Sequence, residues 1–526
     1  MSKIFSKEEV EQASKERTLL IIEDGVYDVT NFLGDHPGGK KILIKSAGQD
    51  ATDQFNKFHS PSVLKKQAAP FRIGSIGAAA STEAADAEEE EDEDTTYFGD
   101  LVPFGDPFWY QDWQSPYYKD SHRKLRSAMR KFTEKNLIPN AFAWDQAREI
   151  PAEVYKQVAS AGILAGIASG SATWITEYAE GLPIPGNFPP EEWDAFHSFI
   201  LIDEMCRCAS GGIAYGIIGG FGIGLPPVLH FGSEELKKRI VPPCVKGDKR
   251  ICLAITEPEG GSDVANLVTT AVLSDDKTHY IVNGRKKWIS GGIYADYFVA
   301  AVRTGGKGMG GLSLLVVERG PGVKTTKMDC MGVWGSGTTF VEFDDVQVPV
   351  GNLLGKENKG FALIMSNFNP ERIGIAVQAN RFSRCLLEES IKYASKRTTF
   401  GVKLREHPVI RAKLSNMAMK IESTHAWLES VIYQSTIYDA DTLTMRGGGT
   451  VALLKAQATE TFEFCAREAS QIFGGLSYTK GGQGEVVERL YRDVKAYTIP
   501  GGSSEIMLDI GMRQSIKIAE IMGAKL

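Results

Sequence analysis

The chain contains 526 residues, which is enough for several domains. Its seven cysteines are scattered without the paired spacing of a disulfide framework or a zinc site, as is usual in a reducing compartment. The formal net charge is −7, but nine acidic residues fall between Glu83 and Asp94, so the rest of the chain is nearly neutral and has no basic stripe. This composition excludes a disulfide-stapled scaffold and a nucleic-acid-binding surface.

Targeting and membrane signals are weak. No apolar stretch is predicted to be long and charge-free enough to span a bilayer, so we expect a soluble protein without a membrane span. The N-terminal segment Met1–Glu9 has early acidic residues and no apolar core of a signal peptide. It also lacks the arginine-rich, acid-poor composition of a mitochondrial presequence.

The first predicted unit, residues 1–75, has two strands near its start. Leu19–Ile22 and Val26–Val29 flank an Asp-Gly pair, which is typical of a hairpin turn. His36 and His59 follow, 23 positions apart, each in a turn between short helical pieces. A lone histidine beside Pro-Gly-Gly is usually a turn residue, but here two histidines recur in similar settings.

These motifs resemble the cytochrome b5 domain, a small α+β fold. The segments Val26–Thr30 and Ala47–Thr52 match that family as well. The resemblance implies one haem b, with His36 and His59 as the axial ligands of its iron. Two imidazoles fill both axial positions and leave no open site for oxygen, so the implied role is electron transfer.

Residues 76–97 form a predicted linker, alanine-rich at first and then acidic. A segment with few apolar residues and many like charges cannot bury enough surface to fold. About 22 flexible residues give an r.m.s. span of roughly 25 Å, which would let one domain visit the face of another. A plain spacer is the alternative that the sequence leaves open.

The chain then turns helical over residues 98–245. An aromatic-rich stretch, Phe98–Tyr117, is interpreted as an ordered arm packed on the next domain rather than as a substrate pocket. The run Gly211–Gly224 holds seven glycines but completes no G-x-G-x-x-G after a strand, which favours close helix packing or a widened pocket wall over nucleotide binding. The predicted helices are Ser121–Leu137, Pro151–Ser160, Trp193–Ala209 and Glu234–Ile240.

Two further domains follow. From Pro242 to Val350 the pattern changes to short alternating strands, which predicts a middle domain, residues 246–352, built as a β-barrel or sandwich. Long amphipathic stretches then predict a helical bundle over residues 353–526. Its predicted helices are Phe361–Lys396, Pro408–Tyr438 and Thr450–Phe473.

Five separated motifs occur in the second part of the chain. A glycine-containing loop follows an apolar strand, an aromatic and a hydroxyl end another strand, and three short motifs lie between and after the long helices. In this order and spacing they resemble the acyl-CoA dehydrogenase family, over roughly Phe98 to the C-terminus. They are Ala254–Asp263, Gly284–Gly292, Arg397–Gly401, Gln471–Gly475 and Arg492–Asp493.

The resemblance implies a multidomain α+β protein with an N-terminal helical domain, a middle β-domain and a C-terminal four-helix-type domain. FAD lies between these domains in the family, with an acyl-CoA thioester stacked against the flavin. The residues implied to bind FAD are Ile255, Thr256, Gly261, Ser262, Trp288, Ile289, Ser290, Arg397, Phe400, His407, Gln471, Gly474 and Gly475.

The catalytic base is harder to identify from the sequence. Many family members carry a glutamate where this chain has Gly501. A minority carries the base on an earlier helix, directly before an arginine, and Glu371-Arg372 stands at the matching place. The local alternative is that Asn369-Pro370-Glu371 simply starts a helix, with Asn as the cap and Pro in the first turn.

The family position together with the vacancy at Gly501 favours Glu371 as the base. The residues implied to contact the acyl-CoA substrate are Ser262, Arg372, Gly501 and Gly502. We therefore expect FAD-dependent oxidation of an acyl-CoA thioester to the 2,3-enoyl-CoA, with the α-proton taken by Glu371, the β-hydride by flavin N5, and the electrons passed to the fused haem.

Two alternatives stay open. One is an acyl-CoA oxidase-like enzyme that uses oxygen, and the other is a haem electron carrier on a flavoprotein scaffold without acyl-CoA chemistry. The resemblance also implies an external electron acceptor and a homodimer or homotetramer, in which the loop around Arg397 and Phe400 reaches the FAD of a neighbouring subunit. The final Ala524-Lys525-Leu526 is close to the Ser-Lys-Leu signal and predicts a peroxisomal address, with cytoplasmic or mitochondrial locations as alternatives.

Overall fold

The structure is a computed structural model that describes residues 3–34, 36, 39–58, 64, 68–76, 97–168 and 177–525. His59 and nearly all of the predicted linker lie outside these residues. The chain divides into two compact units. The first comprises residues 1–101 and 107–114, and the second comprises residues 102–106 and 115–526.

The described part of the first unit contains a four-stranded sheet with the order β1-β4-β3-β2. The predicted hairpin is confirmed, since β2 and β3 pair antiparallel from Leu19–Asp28 to Ile22–Gly25. The strands are β1 (Lys3–Phe5), β2 (Leu19–Ile22), β3 (Gly25–Asp28) and β4 (Arg72–Ile76). The helices are α1 (Lys7–Ala13), α2 (Lys40–Lys45) and α3 (Thr52–Phe58).

Strand β2 is apolar on both faces and serves two cores. Leu19 and Ile21 pack with Val10 of α1 on one side of the sheet. Leu20 and Ile22 pack on the other side, in a cluster that includes Leu43 of α2 and partly buried Phe32, Phe55 and Phe71. Alternate residues of a strand point to opposite faces, so this one strand separates the two layers.

The second unit opens with a helical domain. Tyr117 stacks on Phe196 with 5.2 Å between ring centroids, and the Tyr118 hydroxyl donates to Glu429 Oε1 at 2.6 Å. Tyr117, the last residue of the predicted aromatic arm, therefore packs on this domain as expected, whereas residues 98–101 and 107–114 of the arm belong to the first compact unit. Its main helices are α4 (Asp120–Asn136), α5 (Ala141–Ala147), α6 (Ala152–Ser160), α7 (Ile163–Ala168), α8 (Ala195–Cys206), α9 (Gly211–Ala214), α10 (Gly220–Gly224), α11 (Pro226–Phe231) and α12 (Glu234–Val245).

The glycine-rich run is used for close packing, as predicted. A β-carbon on Gly220 would lie 2.9 Å from the Ser290 carbonyl oxygen, and one on Gly224 would lie 2.7 Å from the backbone of Cys252. Helix α10 can therefore lie directly on the strand that precedes the first cofactor motif. A π-helical turn, Tyr215–Gly219, joins α9 to α10.

One sequence expectation about this run is wrong. Gly211–Phe231 is 21 residues long with a mean hydropathy of 1.5, so by length and composition it could cross a bilayer. In the structure 61% of its most apolar window is buried inside the domain, because its glycines contact strand and loop backbone. A single buried helix of this kind is weak evidence for a membrane protein.

The middle domain is built on one sheet. Its described strands follow the order β10-β11-β7-β6-β8-β9-β12, and β5 pairs in parallel with β8. Its core includes Phe298 and Val302 of β8 and Val341 of β11, all fully buried. The strands are β5 (Ile251–Ala254), β6 (Thr270–Leu273), β7 (His279–Ile289), β8 (Tyr297–Arg303), β9 (Leu312–Glu318), β10 (Val323–Lys327), β11 (Thr339–Pro349) and β12 (Leu353–Leu354).

The C-terminal domain is helical. A short hairpin, β13 (Thr398–Thr399) and β14 (Val402–Lys403), separates its first two long helices. The helices are α13 (Gly360–Lys396), α14 (Pro408–Ile437), α15 (Ala440–Phe473), α16 (Glu485–Asp493), α17 (Lys495–Thr498) and α18 (Ser504–Ile521).

Helix α15 begins ten residues earlier than predicted. The side chain of Asp439 caps it by accepting the Thr442 N–H at 2.7 Å. Three consecutive glycines, Gly447–Gly449, then lie inside the helix although glycine disfavours helices. The reason is tertiary: a β-carbon on Gly449 would lie 2.6 Å from Ser515 Oγ of α18.

Buried charges connect α13 to the N-terminal helical domain. Arg381 pairs with Asp106 at 3.0 Å and also with Asp203 of α8, and Arg130 of α4 pairs with Glu204 at 2.6 Å. Although burial alone raises the pKa of Asp106, the neighbouring arginines hold that pKa well below its usual range. Removing one member of such a network leaves an uncompensated buried charge, so the network fixes how α13 sits on this domain.

Candidate active site

The first cofactor motif lies on a buried ion pair that sequence reasoning missed. Glu257 is 1% exposed and accepts from Lys286 Nζ at 2.7 Å, and the same ammonium donates to the Ile255 carbonyl at 3.0 Å. Glu257 also accepts the N–H groups of Val268 and Thr269 at 2.6 and 3.0 Å. The pair therefore closes the loop that carries Thr256, Gly261 and Ser262.

This loop meets the end of β7. The Lys287 N–H donates to the Thr256 carbonyl at 2.9 Å, which joins the first two predicted cofactor motifs. Trp288 has φ +59° and its side chain is 51% exposed, whereas Ile289 is buried beside it. No atom lies within 4 Å of a β-carbon placed on Gly261, so the space above this part of the loop backbone is open.

A second group of predicted residues gathers at one end of the helical bundle. Arg397 is exposed directly after α13, and Phe400 is 98% exposed at the tip of the β13–β14 hairpin. His407 Nε2 lies 3.0 Å from Thr399 Oγ1, directly beside the tip of the hairpin.

The end of α15 adjoins this hairpin. Tyr393 of α13 stacks on Phe473 of α15 with centroids 4.4 Å apart, so the two helices end side by side. Gln471, Gly474 and Gly475 are exposed there, and β-carbons on the two glycines would meet nothing within 4 Å. The predicted distal cofactor residues therefore form one exposed region of the described structure.

Glu371 does not start a helix. Helix α13 begins at Gly360, and Pro370 and Glu371 lie inside it. The capping interpretation of Asn369-Pro370-Glu371 is therefore wrong, because tertiary packing carries the helix through the proline despite its missing N–H.

The pKa of the Glu371 carboxyl group is set by burial and by two nearby cations, which act in opposite directions. Its Oε2 atom is buried and has no hydrogen-bond partner among the described residues. Burial raises the pKa of Glu371 to about 7, while Arg372 and Lys455 act in the opposite direction. A carboxyl with a pKa near neutrality can take and release a proton under ordinary conditions.

The turn that contains Gly501 lies against these cations. Arg372 Nε donates to the Gly501 carbonyl at 3.0 Å, and Lys455 Nζ donates to the Thr498 and Gly502 carbonyls at 2.9 and 2.7 Å. Gly501 has φ +68°, and a β-carbon there would lie 2.7 Å from Ile375 Cδ1. The position that could have carried a glutamate thus faces the same side chains as Glu371.

Tyr215 is a further neighbour of Glu371. It comes from the π-helical turn, and its hydroxyl donates to the Ala496 carbonyl at 2.7 Å. Burial, reinforced by the negative charge of Glu371, raises the pKa of Tyr215 above its ordinary value. Irregular helical turns of this type are frequent at functional sites.

In the first unit, His36 lies at the edge of the apolar layer on the α2 side of the sheet. Its ring makes an edge-on contact with Phe32 at 5.9 Å, and Phe32 in turn contacts Phe71 at 5.0 Å. His36 Nδ1 is 3.4 Å from the Gly39 carbonyl oxygen. A second interaction of this kind orients metal-binding imidazoles and favours Nε2 as the ligand atom.

Three other titratable side chains, His122, Asp194 and His197, cluster closely enough to hold a metal ion. Each histidine ring accepts a backbone N–H through Nδ1, from Lys119 at 2.8 Å and from Asp194 at 3.1 Å. Both therefore complete capping boxes of α4 and α8, and Asp194 caps α8. Capping explains this cluster without a metal.

Profiles of known protein families match nearly the whole chain. The acyl-CoA dehydrogenase N-terminal domain matches residues 119–172 and 175–248, the middle domain residues 252–346, and the C-terminal domain residues 358–516. A cytochrome b5-like haem/steroid-binding domain matches residues 6–77.

The chain belongs to the acyl-CoA dehydrogenase family. It is 42% identical over 424 residues to acyl-CoA dehydrogenase AFT10-1 of Alternaria alternata, covering 80% of this chain and 97% of that one. It is 41% identical over 429 residues to acyl-CoA dehydrogenase apdG of Emericella nidulans, covering 81% and 98%. A crystal structure of acyl-CoA dehydrogenase from Geobacillus kaustophilus superimposes with a TM-score of 0.66 at 30% identity, covering 76% of this chain and 99% of that one.

The protein is thus an FAD-dependent oxidoreductase of the acyl-CoA dehydrogenase family with a fused cytochrome b5-like domain. The cofactor predictions agree with these matches, and the described residues fit both groups. A half-exposed Trp288 beside an open glycine loop can stack on a planar ring system, and the apolar layer beside His36 suits a porphyrin. Within the described residues, His36 is the predicted iron ligand that can be placed, since His59 falls outside them.

Two signals in the sequence could have revealed the missed charges. Lys455 interrupts an apolar stretch, Val451–Ala458, whose other residues are mostly buried. Lys286 occupies an inward position of β7 between Val282 and Ile289, where an apolar residue is expected. A lone cation at a core position predicts a buried partner, although the sequence does not say which one.

Proposed function

We propose that this acyl-CoA dehydrogenase converts an acyl-CoA thioester to the 2,3-enoyl-CoA with Glu371 as the base that removes the α-proton. When bound, FAD supplies the hydride acceptor for the β-carbon. Arg372, Gly501, Gly502 and Ser262 are proposed to contact the substrate.

One observation carries the proposal. Glu371 has a buried carboxylate oxygen with no hydrogen-bond partner among the described residues. The nearby turn has a glycine, Gly501, at the position where many family members carry the glutamate base. Thioester α-protons are weakly acidic, so the base must be desolvated and the developing negative charge stabilised. Burial raises the pKa of Glu371 to about 7, and the guanidinium of Arg372 next to it can stabilise negative charge.

The decisive test is Glu371→Gln, which keeps the side-chain shape but removes the proton acceptor. The variant is expected to retain FAD and bind acyl-CoA, while anaerobic flavin reduction slows by about 10²–10⁴-fold. Flavin bleaching by a panel of acyl-CoA thioesters in a stopped-flow instrument measures both the rate and the preferred substrate.

Glu389→Gln is the matched control. Glu389 lies on the same helix, and burial likewise raises the pKa of its carboxyl. It should reduce its flavin at the wild-type rate. Wild-type rates in Glu371→Gln would place the base elsewhere.

We also propose that electrons pass from the reduced flavin to the haem of the same chain. Both cofactor-binding domains are part of one polypeptide, and a short tether keeps the local concentration of a fused partner at about the millimolar level. Anaerobic mixing with acyl-CoA should reduce the haem after the flavin bleaches. His36→Ala, which removes a proposed iron ligand, should leave flavin bleaching intact and abolish the haem signal.

Oxygen as the direct oxidant is the competing outcome. An oxidase-like enzyme would form peroxide in step with substrate and leave the haem oxidised. The ratio of peroxide formed to acyl-CoA consumed in air separates these outcomes.

We further propose that a second copy of the chain completes the FAD site, in a homodimer or homotetramer. Phe400 supports this, since a 98% exposed phenylalanine at a hairpin tip gains most from burial against another surface. Sedimentation of the FAD-loaded enzyme measures the assembly.

A further inference from the structure

Lys455 is a buried cation near Glu371. It lies in α15 and is 0% exposed, and its neighbours Leu454 and Ala456 are at most 1% exposed. Among the described residues it forms no salt bridge, and its ammonium group donates to backbone carbonyls instead. Burying an ammonium group without an ion-pair partner costs free energy. An apolar residue would avoid this cost, so a lysine at this position indicates that its charge has a role.

The geometry indicates what that role is. Lys455 Nζ reaches the Thr498 carbonyl at 2.9 Å and the Gly502 carbonyl at 2.7 Å, while Arg372 Nε reaches the Gly501 carbonyl at 3.0 Å. Two cations from two different helices thus hold three carbonyls of one turn. With these oxygens fixed, the orientations of the adjoining peptide planes are fixed as well.

The backbone of this turn needs such support. Gly501 and Gly502 have φ values of +68° and +101°, which other residues rarely adopt. Two flexible glycines in succession have many alternative conformations, and the cations select one of them. Lys455 therefore restrains the part of the proposed substrate site that has the greatest intrinsic freedom.

The same ammonium interacts electrostatically with the proposed base. The charged groups that act on Lys455 are Glu371 and Arg372 of α13 and Glu505 at the start of α18. Those that act on Glu371 are Arg372 and Lys455, and the buried hydroxyl of Tyr215 is also nearby. Burial raises the pKa of Glu371, and the positive charge of Lys455 lowers it.

We propose that Lys455 is a positioning residue of the acyl-CoA dehydrogenase reaction, which fixes the Gly501–Gly502 turn and holds a positive charge near Glu371. This inference rests on the proposed role of Glu371 as the base. It assigns Lys455 two separable actions, one through hydrogen bonds and one through charge.

Three substitutions separate these actions. Lys455→Arg keeps the charge, Lys455→Gln keeps a donor without charge, and Lys455→Met removes both. Lys413→Met is the control, because Lys413 of α14 pairs with Glu468 on the same helix as Lys455.

The first readout is the pH dependence of anaerobic flavin reduction by acyl-CoA. The second, which needs no turnover, is an infrared titration of the carboxyl band that disappears in Glu371→Gln. In Lys455→Met and Lys455→Gln, both midpoints should move to higher pH by about 1–2 units, because a neighbouring positive charge is lost. Lys455→Arg and Lys413→Met should stay at the wild-type midpoint.

Hydrogen bonding is read from substrate affinity. Lys455→Met should weaken acyl-CoA binding more than Lys455→Gln does, because only glutamine can still donate to the turn. If Lys455→Met does not fold, the glutamine and arginine variants still decide the charge effect through the infrared midpoint.

Unchanged midpoints in folded Lys455→Gln would overturn the inference while leaving Glu371 as the base. Wild-type flavin reduction in Glu371→Gln would instead overturn the proposed function. The two failures are therefore distinguishable.

Discussion

The middle and the end of helix α13 carry two contrasting parts of the proposed site. Near Glu371 the chain supplies its own cations and its own turn, and the Oε2 atom of Glu371 is buried. Beyond Lys396 the hairpin projects Phe400 almost fully exposed, beside the exposed end of α15.

The two regions differ because proton abstraction and cofactor binding make different demands on the structure. Proton abstraction depends on a finely set pKa, which requires desolvation and fixed neighbours within one chain. Cofactor binding by an exposed loop requires an additional surface, which we assign to a second subunit. Variants in the middle of α13 should therefore change chemistry and folding, and variants at its end should change assembly.

The largest expected effect comes from moving the carboxylate. Glu371→Gln combined with Gly501→Glu should remain slower than wild type by about 10²–10⁴-fold in flavin reduction. A side chain at position 501 must adopt a positive φ and would press on Ile375, so the new carboxylate is badly placed. Gly501→Ala alone is the control for backbone strain. Recovery of most of the activity would show that the turn can change its conformation. The middle of α13 would then differ less from the exposed hairpin that follows this helix.

The next effect is on pH and stability. The folded-state pKa of Glu371, about 7, is raised above its ordinary value of 4.5, so the folded protein binds more protons than the unfolded chain between these values. Stability from this group is therefore present below pH 4.5 and lost as pH rises to about 7, by about 3 kcal/mol in total. Base activity runs the opposite way and falls as pH drops through 7.

Glu371→Gln should remove this dependence. The free energy of unfolding of Glu371→Gln minus that of wild type should be larger at pH 8 than at pH 5. Urea unfolding of the FAD-loaded enzyme at both pH values measures this difference. Equal differences at both pH values would show that Glu371 does not titrate in this range.

A smaller effect is expected at the turn. Gly502→Ala should lower the free energy of unfolding by about 1–3 kcal/mol, because the position has φ +101° and a β-carbon would clash with Met507. Gly374→Ala, one helical turn after Glu371, meets nothing within 4 Å and should be neutral or slightly stabilising. Equal urea midpoints for the two variants would contradict the constraint at the turn.

The smallest effect on folding is expected at the hairpin. Phe400→Ala should change the free energy of unfolding by at most about 0.5 kcal/mol, since the ring makes little contact within its own chain. FAD should nevertheless dissociate from it more readily when the protein is diluted, and sedimentation should show weaker assembly. If Phe400→Ala retains its FAD and assembles as wild type does, Phe400 does not contribute to the FAD site of a neighbouring subunit.

Sequence periodicity predicted much of this architecture. The bounds of α13 were predicted within one residue, because apolar residues recur at helical spacing over most of Phe361–Lys396. The start of α15 was missed, because Gly447–Gly449 looks like a break until α18 is packed against it. The helix-start interpretation of Asn369-Pro370 failed for the same reason, since contacts distant in sequence outweighed a local signal.

The charged interior of the site was the least predictable part. Lys286 pairs with Glu257 across 29 positions, and Lys455 reaches Gly502 across 47, so local patterns carry no information about either contact. The roles assigned to the cofactor residues, His59 as the second iron ligand and the peroxisomal address stay predictions.

The close packing of Gly211–Phe231 has a consequence during biosynthesis. Gly224 is covered by Cys252, Gly220 by Ser290, and Gly212 by Gly335, so the last of these partners follows the run by about a hundred residues. At about 5–20 residues per second, a nascent chain carries this uncharged 21-residue run unprotected for roughly 5–20 s. During that interval folding competes with aggregation and with capture by a membrane. Translation speed and chaperone supply, rather than final stability, should then set the yield of this enzyme.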